Sequence, residues 1–341
     1  MQPASTLKTD LASREPLYDT FGRKHDYLRI SVTERCNLRC VYCMPADGID
    51  LAPRQTILTF EEIIRLVKIF ASLGINKIRL TGGEPLIRKG FTDLVTAIRN
   101  IKEIKTIAVT TNGVLLGKYV KELKAAGLDK INLSLDTLQE DRFETIARRA
   151  NFKDVMSGLQ SALDYGFTPL KINMVPLMGV NDDEILDFVA LTKDKPIDVR
   201  FIEFMPFDQN QWQSKQMITF KQMQASIAKH HALIPNPTRD ANEVATTYTI
   251  DGYKGSVSFI SSMTNSFCTG CNRIRLLADG AIKNCLFSNE ELSLRDAMRQ
   301  GASDDEVVTL IRTSIKNKKK EHDPVEILHA QPNRSMIKIG G

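Results

Sequence analysis

The sequence predicts an α/β fold, an incomplete (β/α)6 TIM-like barrel, and three observations support this prediction. Short segments rich in β-branched residues alternate with longer amphipathic segments from about residue 27 to residue 204, a pattern typical of parallel strands joined by helices. About six such units are present, too few to close an eight-stranded barrel. Polar or glycine-rich segments follow several strands, at the edge where such barrels carry their active sites. These segments are 81–85, 110–113, 134–136 and 203–205.

The individual elements follow from local patterns. The first predicted strand, residues 27–33, alternates in polarity and leads directly into a cysteine-rich loop. The first helix begins after Thr59, because Thr59 and Glu62 have the spacing of a capping box and apolar residues follow at helical intervals. The remaining strands are predicted at 77–80, 106–110, 130–135, 170–175 and 198–204, and further helices near 91–101, 114–126, 152–165 and 182–193.

A change of pattern near residue 215 predicts the domain organisation. Residues 1–16 are predicted to form a flexible leader, residues 17–215 the partial barrel, and residues 216–341 a C-terminal α+β extension. A doubly wound sheet is the alternative fold. It would more often carry a G-x-G-x-x-G loop, and the sequence contains none.

Composition and charge restrict the class of protein. The chain has 341 residues and a net charge of +5. No apolar run approaches the ~18 residues that span a membrane. The net charge is too modest to predict nucleic-acid binding. The one dense basic run, residues 316–320, is predicted to be a solvated helix face. Residues 1–25 lack the apolar segment of a signal peptide, which predicts a reducing, cytoplasmic location.

Six cysteines form two triplets that are far apart in the sequence. They are Cys36, Cys40 and Cys43 in a C-x3-C-x2-C pattern, and Cys268, Cys271 and Cys285 in a C-x2-C-x13-C pattern. Iron-sulfur cubanes are normally held by four thiolates, so each triplet would leave one iron open to a small molecule. Two alternatives stay open at this point: disulfides in a secreted chain, and a structural zinc at the second triplet with a distant His as fourth ligand.

These motifs resemble two nested families. The first triplet with Tyr42, followed by Gly-Gly-Glu-Pro at 82–85, resembles the radical S-adenosylmethionine superfamily. The segments LRISVTERCNLRCVYCMP, IRLTGGEPL, TTNG, INLSLDTL, VRFIEFMP and FCTGCNRIRL together are similar to the GTP 3′,8-cyclase family of molybdenum cofactor biosynthesis. The similarity extends from about Leu28 to the terminal Gly340 and Gly341.

The resemblance implies an activity, cofactors and partners. The activity is conversion of GTP to (8S)-3′,8-cyclo-7,8-dihydroguanosine 5′-triphosphate by a lyase with two [4Fe-4S] clusters and S-adenosylmethionine. The first cluster would generate a 5′-deoxyadenosyl radical, and the second would contact guanine. Implied partners are an external electron donor, the downstream cyclic pyranopterin monophosphate synthase and a second copy in a homodimer. The alternatives are a radical S-adenosylmethionine peptide maturase and a non-catalytic zinc-binding module.

The resemblance also implies binding residues, although it assigns no residue as a direct catalyst. Those that match S-adenosylmethionine positions are Tyr42, Gly83, Ser134 and Met205. Those that match GTP positions are Arg29, Arg79, Thr110, Lys171, Arg273 and Arg275, with Arg200 as a further candidate. Arginine suits phosphate because its planar fork carries a permanent charge. Gly82 and Gly83 would let a strand edge approach the ligand closely, and the terminal glycines would insert toward the active site.

Overall fold

The computed structural model describes residues 14–236 and 242–340. Most of the predicted leader and the terminal Gly341 lie outside these residues. The strands are β1 Leu17–Tyr18, β2 Lys24–His25, β3 Tyr27–Ser31, β4 Lys77–Thr81, β5 Thr106–Thr111, β6 Lys130–Ser134, β7 Leu170–Met174, β8 Ile197–Ile202, β9 Ile234–Pro235, β10 Thr246–Thr249, β11 Ser256–Ile260, β12 Arg273–Leu276, β13 Ala281–Lys283 and β14 Leu292–Ser293. The helices are α1 Phe60–Ser72, α2 Phe91–Arg99, α3 Leu116–Ala125, α4 Glu140–Ala147, α5 Phe152–Asp164, α6 Ile185–Asp194, α7 Phe220–Ala228, α8 Leu294–Arg299, α9 Asp304–Lys316, α10 Val325–Ala330 and α11 Met336–Ile339.

Within the described residues, twelve strands form one sheet in the order β14-β13-β12-β3-β4-β5-β6-β7-β8-β11-β10-β9. The six predicted strands pair in parallel from β3 to β8, as expected. Two further parallel strands come from the C-terminal region: β12 pairs with β3, and β11 pairs with β8. Strands on both sides of the predicted boundary near residue 215 therefore belong to the same sheet.

The two faces of the sheet differ in polarity. In β3, Leu28 and Ile30 are fully buried in the apolar core, whereas Tyr27 and Arg29 line a cavity. Successive strand residues point to opposite faces, so one face packs against the helices and the other carries polar side chains. Parallel strands more often read as continuous apolar runs. The polar face is where this fold can bind a polar ligand.

The helix termini follow the local signals. At α1 the predicted capping box is confirmed, because Glu62 N donates to Thr59 Oγ1 at 3.2 Å and Thr59 N donates to Glu62 Oε2 at 2.8 Å. Helix α4 was not predicted. Its eight residues bury only Phe143, Ile146 and Ala147, too few for a clear helical period in the sequence.

A second, smaller apolar cluster joins the C-terminal part of the chain to the end of β8. Phe207 stacks on Phe287 with ring centroids 5.7 Å apart, and Leu277, Ala281, Leu328 and Ile339 complete the cluster. This packing positions the last helix against the edge of the sheet. None of the described helices combines the length and apolar character that crossing a membrane requires.

Candidate active site

The first cysteine triplet lies on the loop after β3, and this loop is anchored at several points. Arg39 N and Val41 N donate to the carbonyls of Ala147 and Ile146 at the end of α4. The Tyr42 hydroxyl donates to Asp136 Oδ2 at 2.7 Å, which ties the loop to the residues that follow β6. The short helix α4 therefore serves to fix this loop.

The Gly-Gly-Glu-Pro segment packs directly on the cysteine loop. Gly83 N donates to Thr33 O at 2.7 Å and Glu84 N to Arg35 O at 2.8 Å. A Cβ atom on Gly83 would lie 2.3 Å from Arg35 O and 3.1 Å from Cys36 N. In this structure the glycine is required by close approach of two backbones, which differs from the ligand contact argued from the sequence.

Glu84 joins the ends of two neighbouring strands. It is fully buried and accepts hydrogen bonds from Thr111 Oγ1 at 2.8 Å and Asn112 N at 2.7 Å. Burial raises the pKa of Glu84 to about 7 despite these hydrogen bonds. Asn112 Nδ2 also lies 3.7 Å from Cys36 Sγ, so the carboxyl group supports the residues around the first triplet.

The donor set of the first triplet fits an iron-sulfur group. All six cysteines of the chain are unpaired, so the disulfide alternative is wrong. Burial raises the pKa of the Cys36 thiol to about 11. Burial and the nearby Cys36 and Asp136 raise the pKa of the Cys43 thiol to about 12. The pKa of the Cys40 thiol also lies well above its ordinary value. Such thiols ionise when a bound metal supplies positive charge, because the thiolate is the ligand form.

The four residues that match S-adenosylmethionine positions lie at one edge of the sheet. Tyr42 follows β3, Gly83 follows β4, Ser134 ends β6 and Met205 follows β8. Because these strands are parallel, their carboxyl ends meet at the same edge. The structure therefore brings together segments that are far apart in the sequence, on the side of the first triplet.

Basic residues form aligned rows across three parallel strands. In the pairing of β12 with β3, Arg275 lies opposite Arg29, and in the pairing of β3 with β4, Arg29 lies opposite Arg79. The adjacent row contains Arg273, Tyr27 and Lys77. All six residues that match GTP positions, and Arg200, line one cavity on this face.

The cavity carries a large excess of positive charge. Its basic lining residues are Arg29, Lys77, Arg79, Lys171, Arg200, Arg273 and Arg275, and among the described lining residues Glu243 is the one carboxylate. Burial, with neighbouring cations, lowers the pKa of Arg29 to about 10 and that of Lys171 to about 8. Buried cations that repel one another are stabilised by a polyanion, so the cavity is suited to a ligand such as a nucleoside triphosphate.

Tyr27 is a cavity residue that the sequence analysis missed. Its hydroxyl accepts a hydrogen bond from Arg79 Nε at 2.5 Å, and Lys77 Nζ lies 4.5 Å from its ring centroid. Burial opposes ionisation of the phenol, but Arg79 and Arg29 outweigh it and lower the pKa of Tyr27 to about 7. The two-residue alternation in β3 and β4 was the available signal, because Tyr27 and Lys77 share a face with Arg29 and Arg79.

Three amide side chains leave hydrogen-bond acceptors on the cavity wall. Asn132 Oδ1 on β6, Asn173 Oδ1 on β7 and Asn272 Oδ1 just before β12 are buried without a hydrogen-bond partner, and all three residues line the cavity. Buried polar atoms in folded proteins are normally hydrogen-bonded. These oxygens are positioned to accept from hydroxyl or amine donors of a bound ligand.

The second cysteine triplet adjoins this cavity. Cys268 and Cys271 precede β12 and Cys285 follows β13, yet all three line one small cavity of about 60 Å³. This cavity shares lining residues with the cationic one, namely Ser262, Phe267, Arg273, Arg275 and Leu286. A molecule held by the cationic rows would therefore lie beside the second triplet.

A buried lysine contacts the second triplet. Lys318 is 4% exposed, and its Nζ lies 3.3 Å from Cys271 Sγ and 2.9 Å from Arg273 O. Burial opposes ionisation of the Cys271 thiol, but Arg273 and Lys318 outweigh it and lower its pKa to about 6. The predicted solvated face at residues 316–320 is thus wrong at Lys318. A buried ammonium group needs an anionic partner, and sulfur ligands of an iron cluster fit that need.

The geometry around the second triplet gives little support to a zinc site. Both ring nitrogens of His322, the histidine that lines this cavity, contact backbone carbonyls: Nδ1 lies 2.8 Å from Asp323 O and Nε2 3.0 Å from Ser262 O. Across residues 14–236 and 242–340, no three His, Cys, Asp or Glu side chains converge on the position of a single metal ion. Zinc needs four donors at one ion, whereas a cubane takes each thiolate on a different iron.

The C-terminal tail enters the same region. Arg275 Nη1 donates to Gly340 O at 3.2 Å. Gly340 has φ +80°, and a Cβ atom there would lie 2.7 Å from Thr81 Oγ1 and 2.8 Å from Ser31 Cβ. Glycine is therefore required both by the backbone conformation and by the space between β3 and β4. Upstream, Arg334 Nη1 pairs with Asp279 Oδ2 at 2.6 Å and holds the segment that leads into the tail.

Comparisons with known proteins assign these features to a family. Residues 30–192 match the Radical SAM superfamily, and residues 197–324 match Molybdenum Cofactor Synthesis C. Among solved structures, Streptococcus suis SuiB bound to S-adenosylmethionine is similar with a TM-score of 0.55 and 14% identity, over 85% of this chain and 68% of that one. At this identity the likeness concerns the fold alone, an α/β fold with a parallel-strand sheet.

Curated relatives are much more similar in sequence. The chain is 49% identical over 325 residues to the mitochondrial GTP 3′,8-cyclase of Arabidopsis thaliana, covering 95% of this chain and 83% of the relative. It is 44% identical over 326 residues to the GTP 3′,8-cyclase of Syntrophomonas wolfei, covering 95% and 100%. It is 47% identical to Molybdenum cofactor biosynthesis protein 1 of Homo sapiens, covering 95% of this chain but only 51% of that protein. The chain belongs to the GTP 3′,8-cyclase family of the radical S-adenosylmethionine superfamily.

Proposed function

We propose that the protein converts GTP to (8S)-3′,8-cyclo-7,8-dihydroguanosine 5′-triphosphate in molybdenum cofactor biosynthesis. One observation of the structure carries the proposal furthest: the six residues that match GTP positions line a single cationic cavity that shares a wall with the second cysteine triplet. The names of the relatives from Arabidopsis thaliana and Syntrophomonas wolfei support the same activity.

Cys36, Cys40 and Cys43 would hold the first [4Fe-4S] cluster, and Cys268, Cys271 and Cys285 the second. When bound, the first cluster supplies one electron and an open iron for S-adenosylmethionine, and the second supplies an open iron beside the substrate. Tyr42, Gly83, Ser134 and Met205 would contact S-adenosylmethionine, since they lie at the carboxyl edge of the strands next to the first triplet.

The rows on β12, β3 and β4 would bind the substrate. Arg29, Arg79 and Arg275 present three guanidinium groups on one face, and planar guanidinium groups match phosphate oxygens. Arg273 lies within reach of Cys271 Sγ at 3.4 Å and so bridges the phosphate region and the second triplet. Thr110 and Lys171 extend the polar wall, and the orphaned oxygens of Asn132 and Asn173 would orient ribose hydroxyls or the base amine.

The fold would shield this chemistry from water. We propose that the parallel strands curve into the incomplete (β/α)6 barrel, extended by β12 and β11, because side chains from β3, β4, β5, β6, β7, β8, β11 and β12 line one cavity. The C-terminal extension then closes one side, and the Gly340 tail lies against β3 and β4. A radical requires such enclosure, since the site must exclude competing reactions.

The proposal includes partners and a location. An external electron donor is required because the reaction starts with a one-electron reduction, and the downstream cyclic pyranopterin monophosphate synthase would consume the product. The assembly would be a homodimer. The cysteines need a reducing compartment, for which we propose the cytoplasm; the Arabidopsis thaliana relative is named as mitochondrial, and the same redox requirement holds there.

The test is an anaerobic assay of reconstituted protein. About eight irons per chain are expected, and incubation with GTP, S-adenosylmethionine and dithionite should give 5′-deoxyadenosine and a cyclised nucleotide by mass spectrometry. ATP in place of GTP is the control, and it should remain unchanged. Formation of 5′-deoxyadenosine with GTP unchanged would reject the substrate but keep the superfamily. Colourless protein with zinc and no iron would support the binding module instead.

A further inference from the structure

Glu243 is the carboxylate that lines the cationic cavity within the described residues. It lies on the segment before β10, and its Oε1 is 2.8 Å from Arg200 Nη2 and 3.7 Å from Lys171 Nζ. Burial opposes ionisation, but Lys171 and Arg200 outweigh it and hold the pKa of Glu243 below its ordinary value. The side chain is therefore an anion among cations that match ligand-binding positions.

A second carboxylate already neutralises Arg200 from within the sheet. Arg200 Nε donates to Asp198 Oδ2 at 2.6 Å. Asp198 Oδ1 accepts from Ser258 Oγ at 2.6 Å and Ser256 Oγ at 3.1 Å on β11, and Asp198 is 4% exposed. This carboxylate is fixed by its strand and by two hydroxyl groups, so its role is to hold the guanidinium group of Arg200 in place.

The charges at this end of the cavity balance when Glu243 is in place. Lys171 and Arg200 carry two positive charges, and Asp198 and Glu243 carry two negative charges. The opposite end is different, because Arg79 contacts the Tyr27 hydroxyl, Arg273 the Cys271 sulfur and Arg275 the Gly340 carbonyl. In the described part of the chain none of these three forms an ion pair with a carboxylate. A phosphate group that reaches Lys171 and Arg200 would therefore meet cations that are already paired with carboxylates unless Glu243 leaves.

Glu243 is placed so that it can leave. Its side chain is 25% exposed and it precedes β10, which begins at Thr246, so no strand pairing fixes it. A phosphate oxygen offers Lys171 and Arg200 the same charge as a carboxylate and additional acceptors. Without an anion, Lys171 and Arg200 would repel each other inside the cavity.

We propose that the Glu243 carboxylate occupies the place of a substrate phosphate in the free enzyme and is displaced from Lys171 and Arg200 when a phosphate group binds. This inference rests on the proposed function, because it takes a nucleoside triphosphate as the ligand of the cavity. Glu243 is then a positioning residue that keeps the cations arranged before binding and weakens the affinity for the phosphates. Removing its charge should make phosphate binding tighter.

Calorimetric titration of the anaerobic holoenzyme without reductant tests the proposal, since no turnover occurs under these conditions. Glu243→Gln should bind GTP roughly tenfold more tightly than the wild type, because a charge-assisted hydrogen bond no longer has to be broken. Guanosine, which has no phosphate, should bind both proteins equally. Asp198→Asn is the matched control, and it should not tighten GTP binding, because it loosens Arg200 without vacating the phosphate position.

Each other outcome overturns the inference in a recognisable way. Weaker GTP binding by Glu243→Gln would mean that Glu243 orients Arg200 for the substrate, and weaker guanosine binding would mean that it recognises the base. Equal affinity of both proteins for GTP would mean that it stays in place. If the wild type binds no GTP, the proposed function fails, and inorganic triphosphate then tests Glu243 alone: tighter binding by the variant supports the displacement, and equal or weaker binding rejects it.

Discussion

The two cysteine triplets have the same number of thiols but opposite electrostatic surroundings. Around the first, burial and the carboxyl group of Asp136 raise the thiol pKa values. Around the second, Lys318 and Arg273 approach Cys271 Sγ to 3.3 and 3.4 Å and lower its pKa. Hydrogen bonds to sulfur and nearby charge set cluster potentials. We therefore expect the cluster proposed at the first site to have the lower reduction potential. At the second site, the nearby positive charges should raise the reduction potential and favour an anionic ligand next to the cluster.

Loss of one cysteine from either triplet should give the largest effect and separate the two roles. Cys36→Ala should lose about half of the iron that the wild type binds, and it should form no 5′-deoxyadenosine. Cys271→Ala should also lose about half of its iron, yet still form 5′-deoxyadenosine while GTP stays unconverted. Iron content and both products are measured on the same samples. Loss of all iron in either variant would contradict the independence of the two sites.

Removal of the arginines beside the second triplet should have the next largest effect. Arg273→Ala and Arg275→Ala should each raise the KM for GTP by about ten- to a hundredfold, since each deletes charge-assisted hydrogen bonds, while the iron content stays unchanged. Arg54→Ala, at an exposed position, is the matched control and should leave KM unchanged. Loss of iron in either cavity variant would mean that these arginines are structural.

Lys318 should set the potential of the second cluster. Lys318→Gln should lower that potential by about 59 mV, a tenfold change in the ratio of reduced to oxidised cluster, because a buried positive charge near Cys271 is lost. Lys318→Arg should retain the potential, and Lys316→Gln, at an exposed neighbour, is the control. Redox titration followed by electron paramagnetic resonance measures both clusters. An equal shift at the first cluster would show that the effect is not local.

The smallest expected effect is that the two regions change the free energy of unfolding with pH in opposite directions. Near the second triplet, burial and Lys318 lower the pKa of His25 to about 4, so the unfolded chain binds more protons between about pH 6.5 and pH 4. Stability is therefore lost as pH falls through this window, by about 1 kcal/mol between pH 7 and 5.5. His25→Gln should remove this loss in urea denaturation of the metal-free protein, and an unchanged slope would refute the assignment.

Near the first triplet, stability changes with pH in the opposite direction. The folded-state pKa of Glu84 is about 7, so the folded protein binds more protons between about pH 4.5 and pH 7, and this group lowers stability as pH rises through that window. Glu84→Gln should remove that loss in the same denaturation series. A variant that instead loses stability more steeply as pH rises would show that the carboxyl group is ionised in the folded protein.

The sequence was sufficient where the signal is local. The capping box at Thr59 predicted helix α1, and the alternation of β-rich with helical segments from about residue 27 to residue 204 predicted six parallel strands. Both signals are read from neighbouring stretches of the chain. Strands β12 to β14 have only two to four residues and exist through pairing with partners that are distant in sequence. Such short strands have no periodicity of their own to recognise.

The residues of the candidate site also differ in whether a local sequence signal could identify them. The six basic and polar residues that match GTP positions were named from motifs, and the structure places them around one cavity. Tyr27 and Lys77 were within reach of the alternation argument. Lys318 and Glu243 were not, because a lysine run normally indicates solvent exposure and nothing local distinguishes one surface glutamate from another. Only the tertiary structure brings Lys318 to Cys271 and Glu243 to Arg200.

The pairing of β3 with β12 has a consequence for synthesis on the ribosome. The first long strand to emerge must wait for a partner encoded in the last third of the chain, and until then one side of β3 presents unpaired backbone groups to other nascent chains. Exposed strand edges promote aggregation, and inward-pointing charges counter it. We therefore expect Arg29, at the centre of β3, to oppose aggregation of the nascent chain through this strand.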